Sequence, residues 1–522
     1  MKKNLPIIFL LILIIFYFQY SVTILWDSAH YMNYVNILER IVPFNNWDVV
    51  RGPVFPFIIF FGNIIFGKTS QGLLLNTFFY YLVMLLFVYK ILNYTIDNLK
   101  FSQKKKKVIT FIIMLTIIIN PIIFGFYHSL LTEFVAVTLS VISCYLAVIW
   151  YDTSYNDNKK KYIIITIAFI FLTIFSWFLK QPYVSCGFFP LLVSYIITLF
   201  NKNNFKSFVI RTTPIVLCVI CLVLSIKVWN IVLEKMGNDP TTSRNPSVSL
   251  GNTLISALGF TEIATGENIK KVEYIEESKL SKEEKQDVLQ LQEKNKDYVI
   301  INIYDGKNIV ASDYIESKNT NISTFSALTY ITKYFFKEPL TILDSYFTNY
   351  LSIIDIYSTT SEDGVGYKSN KKIDLSFSNE ITTIAFKPYY YGSENIFYML
   401  PEMRERVNCY EQTNYTFKPI NYAMLILGKI FLIVFKILFA LLPFSLIIAI
   451  VFRCKNKNKE IQKRNLNLII ILLGFSFLHV MLHVVTGAII DRYAIPAFIS
   501  NILGTTILFV YLIGCKKMLK KS

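Results

Sequence analysis

Leu5-Pro-Ile-Ile-Phe-Leu-Leu-Ile-Leu-Ile-Ile-Phe-Tyr-Phe-Gln-Tyr-Ser-Val-Thr-Ile-Leu25 is an almost unbroken apolar run, and Trp26-Asp27-Ser28-Ala29-His30-Tyr31 follows it directly. A run of about 20 apolar residues is long enough to cross the hydrocarbon core of a bilayer as a helix. It is too long for the apolar stretch of a signal peptide, and no small-x-small cleavage site follows. Met1-Lys2-Lys3-Asn4 therefore reads as the cytoplasmic end of a retained first helix, and Asp27 as a carboxylate just beyond its outer end.

The same pattern recurs along the 522 residues, 54% of which are hydrophobic, giving a mean hydropathy of +0.47. An all-α polytopic membrane protein is expected, with about ten transmembrane helices (9–13) over 6–25, 70–92, 108–125, 130–150, 162–179, 183–200, 208–233, 428–452, 466–487 and 493–515. With both termini in the cytoplasm, Lys100/Lys104–Lys107, Lys159–Lys161, Lys202/Lys206/Arg211, Arg453–Arg464 and Lys516–Lys521 all fall on the cytoplasmic face, as the positive-inside bias requires. That parity makes 53–67, a short apolar run containing Pro and Gly, a re-entrant or juxtamembrane helix rather than a span. The run at 418–431 is open between the start of a span and a helix in the headgroup layer.

Three segments follow: membrane modules at 1–235 and 421–522, and between them an extracytoplasmic α+β or mostly α domain at 236–420. That domain holds 19 Lys/Arg and 25 Asp/Glu, leaving 33 basic and only 10 acidic residues elsewhere. The formal charge of +17 thus belongs to the membrane part, where it sets orientation and meets anionic lipid, and it requires no nucleic-acid partner. Inside the domain, 273–296 is a charged helical stretch, 298–317 alternates like strand around Asp305-Gly306, and 324–356 returns to apolar helical spacing and is expected on the membrane surface. Of the seven cysteines only Cys409 lies in this domain, so it contains no disulfide of its own, and no Cys/His spacing has the form of a zinc site.

Ionisable groups are costly near hydrocarbon, so their collection at one face marks a candidate site. Six of the ten acids outside the domain (Asp27, Glu39, Asp48, Glu133, Glu234 and Asp491) fall at outer helix ends or in the first outer loop, with His30, His128, His479 and His483 near that side. The cations there are Arg40, Arg51, Lys180 and Arg492. Arginine holds phosphate through a planar fork and lysine as a point charge. Plainer roles stand beside these. Asp27 is a good N-cap for an amphipathic helix over 28–41; Glu133 can open a helix; Arg492 can reach to the interface; His479 and His483, one turn apart without an intervening His-Glu-x-x-His pattern, suit packing or substrate contact better than metal.

Several short motifs together resemble the GT-C superfamily of integral membrane glycosyltransferases, particularly the branch of protein O-mannosyltransferases and aminoarabinose-to-lipid-A transferases. They are Trp26-Asp27 with Tyr31, Arg51-Gly52-Pro53-Val54-Phe55-Pro56, Phe66-Gly67, Asn120-Pro121, Leu131-Thr132-Glu133, Lys180-Gln181-Pro182 and Asp491-Arg492-Tyr493-Ala494-Ile495-Pro496, covering roughly 1–235 and 425–515. The resemblance implies a transferase that moves a sugar from a polyprenyl-phosphate donor to a glycan, lipid or protein acceptor outside the cytoplasmic membrane. Asp27 would be the catalytic base, with Asp48 or Glu39 as a second first-loop carboxylate. Arg51, Lys180 and Arg492 would contact the donor phosphate, and His30, Tyr31, His128, Glu133, His483 and Tyr493 would line the substrate pocket. The acidic doublet of part of the family is Asp27-Ser28 here. Some members bind a divalent cation near the base, although the spacing in this chain does not require one. The competing readings are a transporter or flippase of lipid-linked sugars and a polysaccharide polymerase.

Overall fold

The computed structural model describes residues 13–47, 51–96, 102–153, 158–199, 205–237, 254, 260–263, 269–271, 275–276, 301–305, 308–313, 324–337, 339–354, 380–391, 418–455, 460–486 and 491–519. Chain contacts divide it into two units, Met1–Pro240 with Leu375–Leu482 and Ile490–Ser522, and Thr241–Asp374 with His483–Ile489. This division differs from the one drawn from composition: the boundary inside 236–420 falls near 375, and a short piece around 483–489 joins the second unit.

The first unit is helical. Its described elements are α1 (Trp26–Leu38), α2 (Val54–Phe66), α3 (Ser70–Ile96), α4 (Gln103–Ile118), α5 (Pro121–Tyr127), α6 (Thr132–Asp152), α7 (Lys159–Leu179), α8 (Val184–Leu199) and α9 (Phe205–Lys235). Among the described residues, eight helices are long and apolar enough to cross a membrane, or nine if α4 and α5, bent by 55° at Asn120-Pro121, form one broken span. Asn120 makes that break: its side chain accepts hydrogen bonds from the N–H groups of Ile122 and Ile123 and starts a new helix with proline in its first turn. At 13 residues α2 is too short to span, in keeping with its reading as a juxtamembrane or re-entrant helix.

The first apolar run behaves differently from expectation. Its helix ends at Tyr17, and 21–25 is extended. The β-branched Val22, Thr23 and Ile24 favour that geometry, and Thr23 pairs with the segment after α5, its N–H donating to the His128 carbonyl at 2.6 Å and its carbonyl accepting from Leu130 at 2.9 Å. Asp27 therefore does not cap a helix over 28–41. It is the second residue of α1, and Ser28 closes the helix start by accepting the Leu25 N–H at 3.1 Å while donating to the Leu130 carbonyl at 2.5 Å. Nor does α1 lie with one face in solvent, since Ala29, Tyr31, Met32, Tyr34, Val35 and Ile37 are buried around it.

In the second unit, β1 (Phe260–Ile263) pairs antiparallel with β2 (Ile269–Lys271). The alternation at 298–317 forms a hairpin of β4 (Ile301–Asp305) and β5 (Asn308–Asp313), with β3 (Ile275–Glu276) alongside β4. The apolar stretch after it forms α10 (Thr324–Lys337) and α11 (Pro339–Ile353). Most of the charged stretch at 273–296 lies outside the described residues.

The first unit closes with α12 (Glu380–Tyr391), α13 (Lys418–Lys455), α14 (Glu460–Val485) and α15 (Ile495–Leu519); α14 passes into the second unit at His483. α12 packs on α5 and α13. Gly125 permits the close approach, for a Cβ there would lie 1.9 Å from the Ala385 carbonyl oxygen. The run at 418–431 is the first part of α13, a continuous helix of 38 residues and about 57 Å at 1.5 Å per residue, and does not form a helix of its own.

α6 is a core helix, as buried as α14 and α15, and packs against α3, α7, α8 and α15; α9 is mostly exposed and presents apolar side chains outward. The two ends of α6 meet different chemistry. Beside its C-terminal Asp152, Arg464 bonds that carboxylate and Tyr94, Arg453 donates to Asn467 and to the Ile197 carbonyl, and Asn467 donates to Tyr151. About 30 Å away, at 1.5 Å per residue, its N-terminal Glu133 joins another cluster.

Candidate functional site

Asp27 is the hub of that cluster. Its Oδ2 accepts a hydrogen bond from Arg492 at 3.0 Å, and its Oδ1 lies 3.6 Å from the Arg51 guanidinium. Arg492 also reaches Glu133, with Nε 3.6 Å from Oε1. Arg51 donates to the Tyr31 hydroxyl at 3.2 Å, one helical turn beyond Asp27 on α1. Lys180 lies with its ammonium 4.5 Å from the centre of the Tyr493 ring, beside Arg492. Five ionisable side chains from α1, the first loop, α6, the α7–α8 junction and the turn before α15 thus share one site.

Each is positioned by its local sequence. The Trp47 indole donates to the Arg51 carbonyl at 2.9 Å and stacks on Tyr34, folding the loop back on α1. Gly52 then lets the chain pass against the end of α7, where a Cβ would lie 2.0 Å from the Phe178 carbonyl oxygen. Pro182 breaks the helix after Lys180, which sits in extended backbone between α7 and the short 3-10 turn Gln181–Tyr183. Asp491 accepts the N–H groups of Arg492 at 2.7 Å and Ile381 at 3.1 Å, turning the chain at Asp491–Ala494. His479 bridges Ser185 Oγ at 2.6 Å and the Tyr493 carbonyl at 2.8 Å. A carbonyl only accepts, so Nε2 donates to Tyr493.

Side-chain exposure falls from 26% at Arg51 and 14% at Asp27 to 6% at Arg492 and 1% at Glu133. The outer pair can meet a ligand, while Glu133 holds Arg492 from behind. Burial works against the charge on Asp27, but Arg492, Lys180 and Arg51 outweigh it and hold the carboxyl below its ordinary value. Burial likewise disfavours the Lys180 ammonium, and Glu133 and Tyr493 more than offset this, raising its pKa. Since the folded pKa of Asp27 is depressed, its contribution to stability is present above the unfolded value of about 3.9 and is lost as pH falls through the folded value. The raised Lys180 contributes fully below about 10.4 and loses its contribution as pH rises through its folded value. Thermal unfolding of the purified protein is therefore expected to show an acid-side loss of Tm that is smaller in Asp27→Asn; an identical acid limb in both proteins would contradict the ion-pair account.

The expected residues do not all join. Glu39 pairs with Lys68 at the other end of α1, about 18 Å from Asp27 at 1.5 Å per residue, and is not a second carboxylate of this cluster. Asp48 lies outside the described residues. His128 is not a pocket residue: its ring nitrogens face the carbonyls of Phe124 and Tyr17 at 2.9 and 3.0 Å, and it packs among Tyr17, Tyr20 and Phe124. His30 is half-buried on α1, three residues from Asp27. His483 is buried and falls in the second unit. Tyr183, fully buried with its ring 6.1 Å from that of Tyr493, and Trp47 complete the setting unanticipated. Tyr183 adjoins the Lys180 motif, but nothing else marks it among 34 tyrosines.

Among the described residues the donor set does not assemble a divalent-cation site. Asp27 and Glu133 are both engaged by arginine, and among the described residues no three acids, histidines or cysteines group as metal ligands. Compared with protein-family models, curated proteins and solved structures, the chain shows no match.

Proposed function

We propose that the protein is a membrane glycosyltransferase that moves a sugar from a polyprenyl-phosphate carrier to an acceptor hydroxyl, with Asp27 as base. The observation that supports this reading is the gathering of three cations around two carboxylates, with Asp27 the more exposed acid. A phosphodiester donor has one negative charge, and its phosphate gains a second as the sugar leaves. Arg51, Lys180 and Arg492 stabilise that growing charge. By drawing the arginines toward itself, the phosphate also releases Asp27 from them and raises its basicity. Asp27 takes the acceptor proton, the acceptor oxygen bonds to the anomeric carbon from the opposite face, and the carbon–oxygen bond to phosphate breaks with its electron pair going to phosphate, inverting the configuration.

The arrangement of the ends of α6 supports the sidedness of this reading. The cluster is at one end and the basic residues Arg453 and Arg464 are at the other, which under the positive-inside bias favours an extracytoplasmic cluster. A flippase would place polar groups near mid-membrane on broken helices; here they meet at helix ends. The test is full-length protein reconstituted with polyprenyl-phosphate-linked sugars and assayed for free polyprenyl phosphate together with glycosylated acceptor. Movement of the lipid across the bilayer without bond cleavage would replace this reading with transport.

A further inference from the structure

The two consecutive helices α10 and α11 have their apolar stripes turned outward. On α10, Phe325, Leu328, Phe335 and Phe336 recur at helical spacing, and Phe325 and Phe336 are 81% and 80% exposed. On α11 the stripe continues with Leu340, Leu343 and Phe347, while Ile342, Tyr350 and Ile353 are buried. A helix of a water-soluble domain turns such a stripe inward; one in the headgroup layer presents it to lipid.

The attachment of α11 sets its depth. Asn349 Nδ2 donates to the Val484 carbonyl at 3.3 Å, a contact within the second unit. Val484 lies in the last turn of α14, a helix of membrane-spanning length and hydropathy. The end of such a helix lies where hydrocarbon gives way to headgroups, so α11 is fastened at that level. Tyr346, half-buried on α11, is of the aromatic type enriched at membrane interfaces.

We propose that α10 and α11 form an interfacial helix pair whose outward stripe is buried in the headgroup–acyl boundary of the bilayer, with lipid as its occupant. The proposal is independent of the transfer reaction. To test it, p-benzoylphenylalanine is placed at Phe336 or Phe347 of the full-length protein, with Tyr350 on the buried face as control, in bilayers of phosphatidylethanolamine and phosphatidylglycerol. After irradiation, mass spectrometry is expected to find lipid adducts severalfold more abundant at 336 and 347 than at 350. Adducts to a second copy of the chain, or lipid adducts no more abundant at 336 and 347 than at 350, would overturn it. Should the Tyr350 probe prevent folding, brominated-lipid quenching of a Phe336→Trp variant decides: added quenching over the parent supports the interfacial placement, and none refutes it.

Discussion

Asp27→Asn is expected to slow sugar transfer by about 10²–10⁴-fold, the contribution typical of a positioned general base. The amide has nearly the volume of the carboxylate and keeps an oxygen for Arg492, so the change removes the proton acceptor with little disturbance of packing. Binding of the polyprenyl-phosphate donor is expected to survive and even to tighten, because Arg51 and Arg492 no longer share their charge with an anionic neighbour. Stopped turnover with retained donor binding in the reconstituted protein is the predicted signature. Transfer at the parental rate would remove Asp27 from the chemistry, and unchanged lipid movement by the variant would favour a flippase.

Arg492→Met is expected to have the largest effect on stability. Arg492 is the cation shared by Asp27 and Glu133, and Glu133 is 1% exposed, so the variant leaves a buried carboxylate with only the Lys180 ammonium to offset it. Breaking a buried pair in this way typically costs about 3–5 kcal/mol. Adding Glu133→Gln in the same chain removes the stranded charge and is expected to restore part of the loss, on the order of 0.5–3 kcal/mol for residues in direct contact. Unfolding of the single and double variants in detergent measures this coupling. The more exposed Arg51 supplies the comparison: if Arg51→Met destabilises as much as Arg492→Met, the buried pair is not what holds this end of the bundle together.

How far the sequence could be read follows from the range of each interaction. Apolar runs mark membrane helices because each satisfies its own backbone hydrogen bonds and needs only length and composition to do so. The shortness of α2 is local in the same sense; the break at Asn120-Pro121 is local too, but the reading of 108–125 as one span passed over it. The end of the first helix was not legible, because β-branched Val22, Thr23 and Ile24 are also apolar and only their pairing with 128–130 makes them extended. His128 and Glu39 have the chemistry of a site but spend it elsewhere, on backbone carbonyls and on Lys68, which depends on partners distant in sequence.

By itself the sequence determined that this chain is built of membrane-length helices, which of their ends are basic, and that a wider set of costly charges, Asp27, Arg51, Glu133, Lys180 and Arg492 among them with Glu39, Asp48, Glu234, Asp491, Arg40 and the four histidines, gathers near the other ends. Only the tertiary structure decided that Asp27, Arg51, Glu133, Lys180 and Arg492 are the ones that meet, that Arg492 is shared between two carboxylates, and that Asp27 rather than Glu133 is left accessible. The physical reason is distance along the chain. Hydropathy and helix breaks act over a few residues, whereas the charge balance around Asp27 is set by Arg492, 465 residues away, and the packing of α6, α8 and α15 brings the two together.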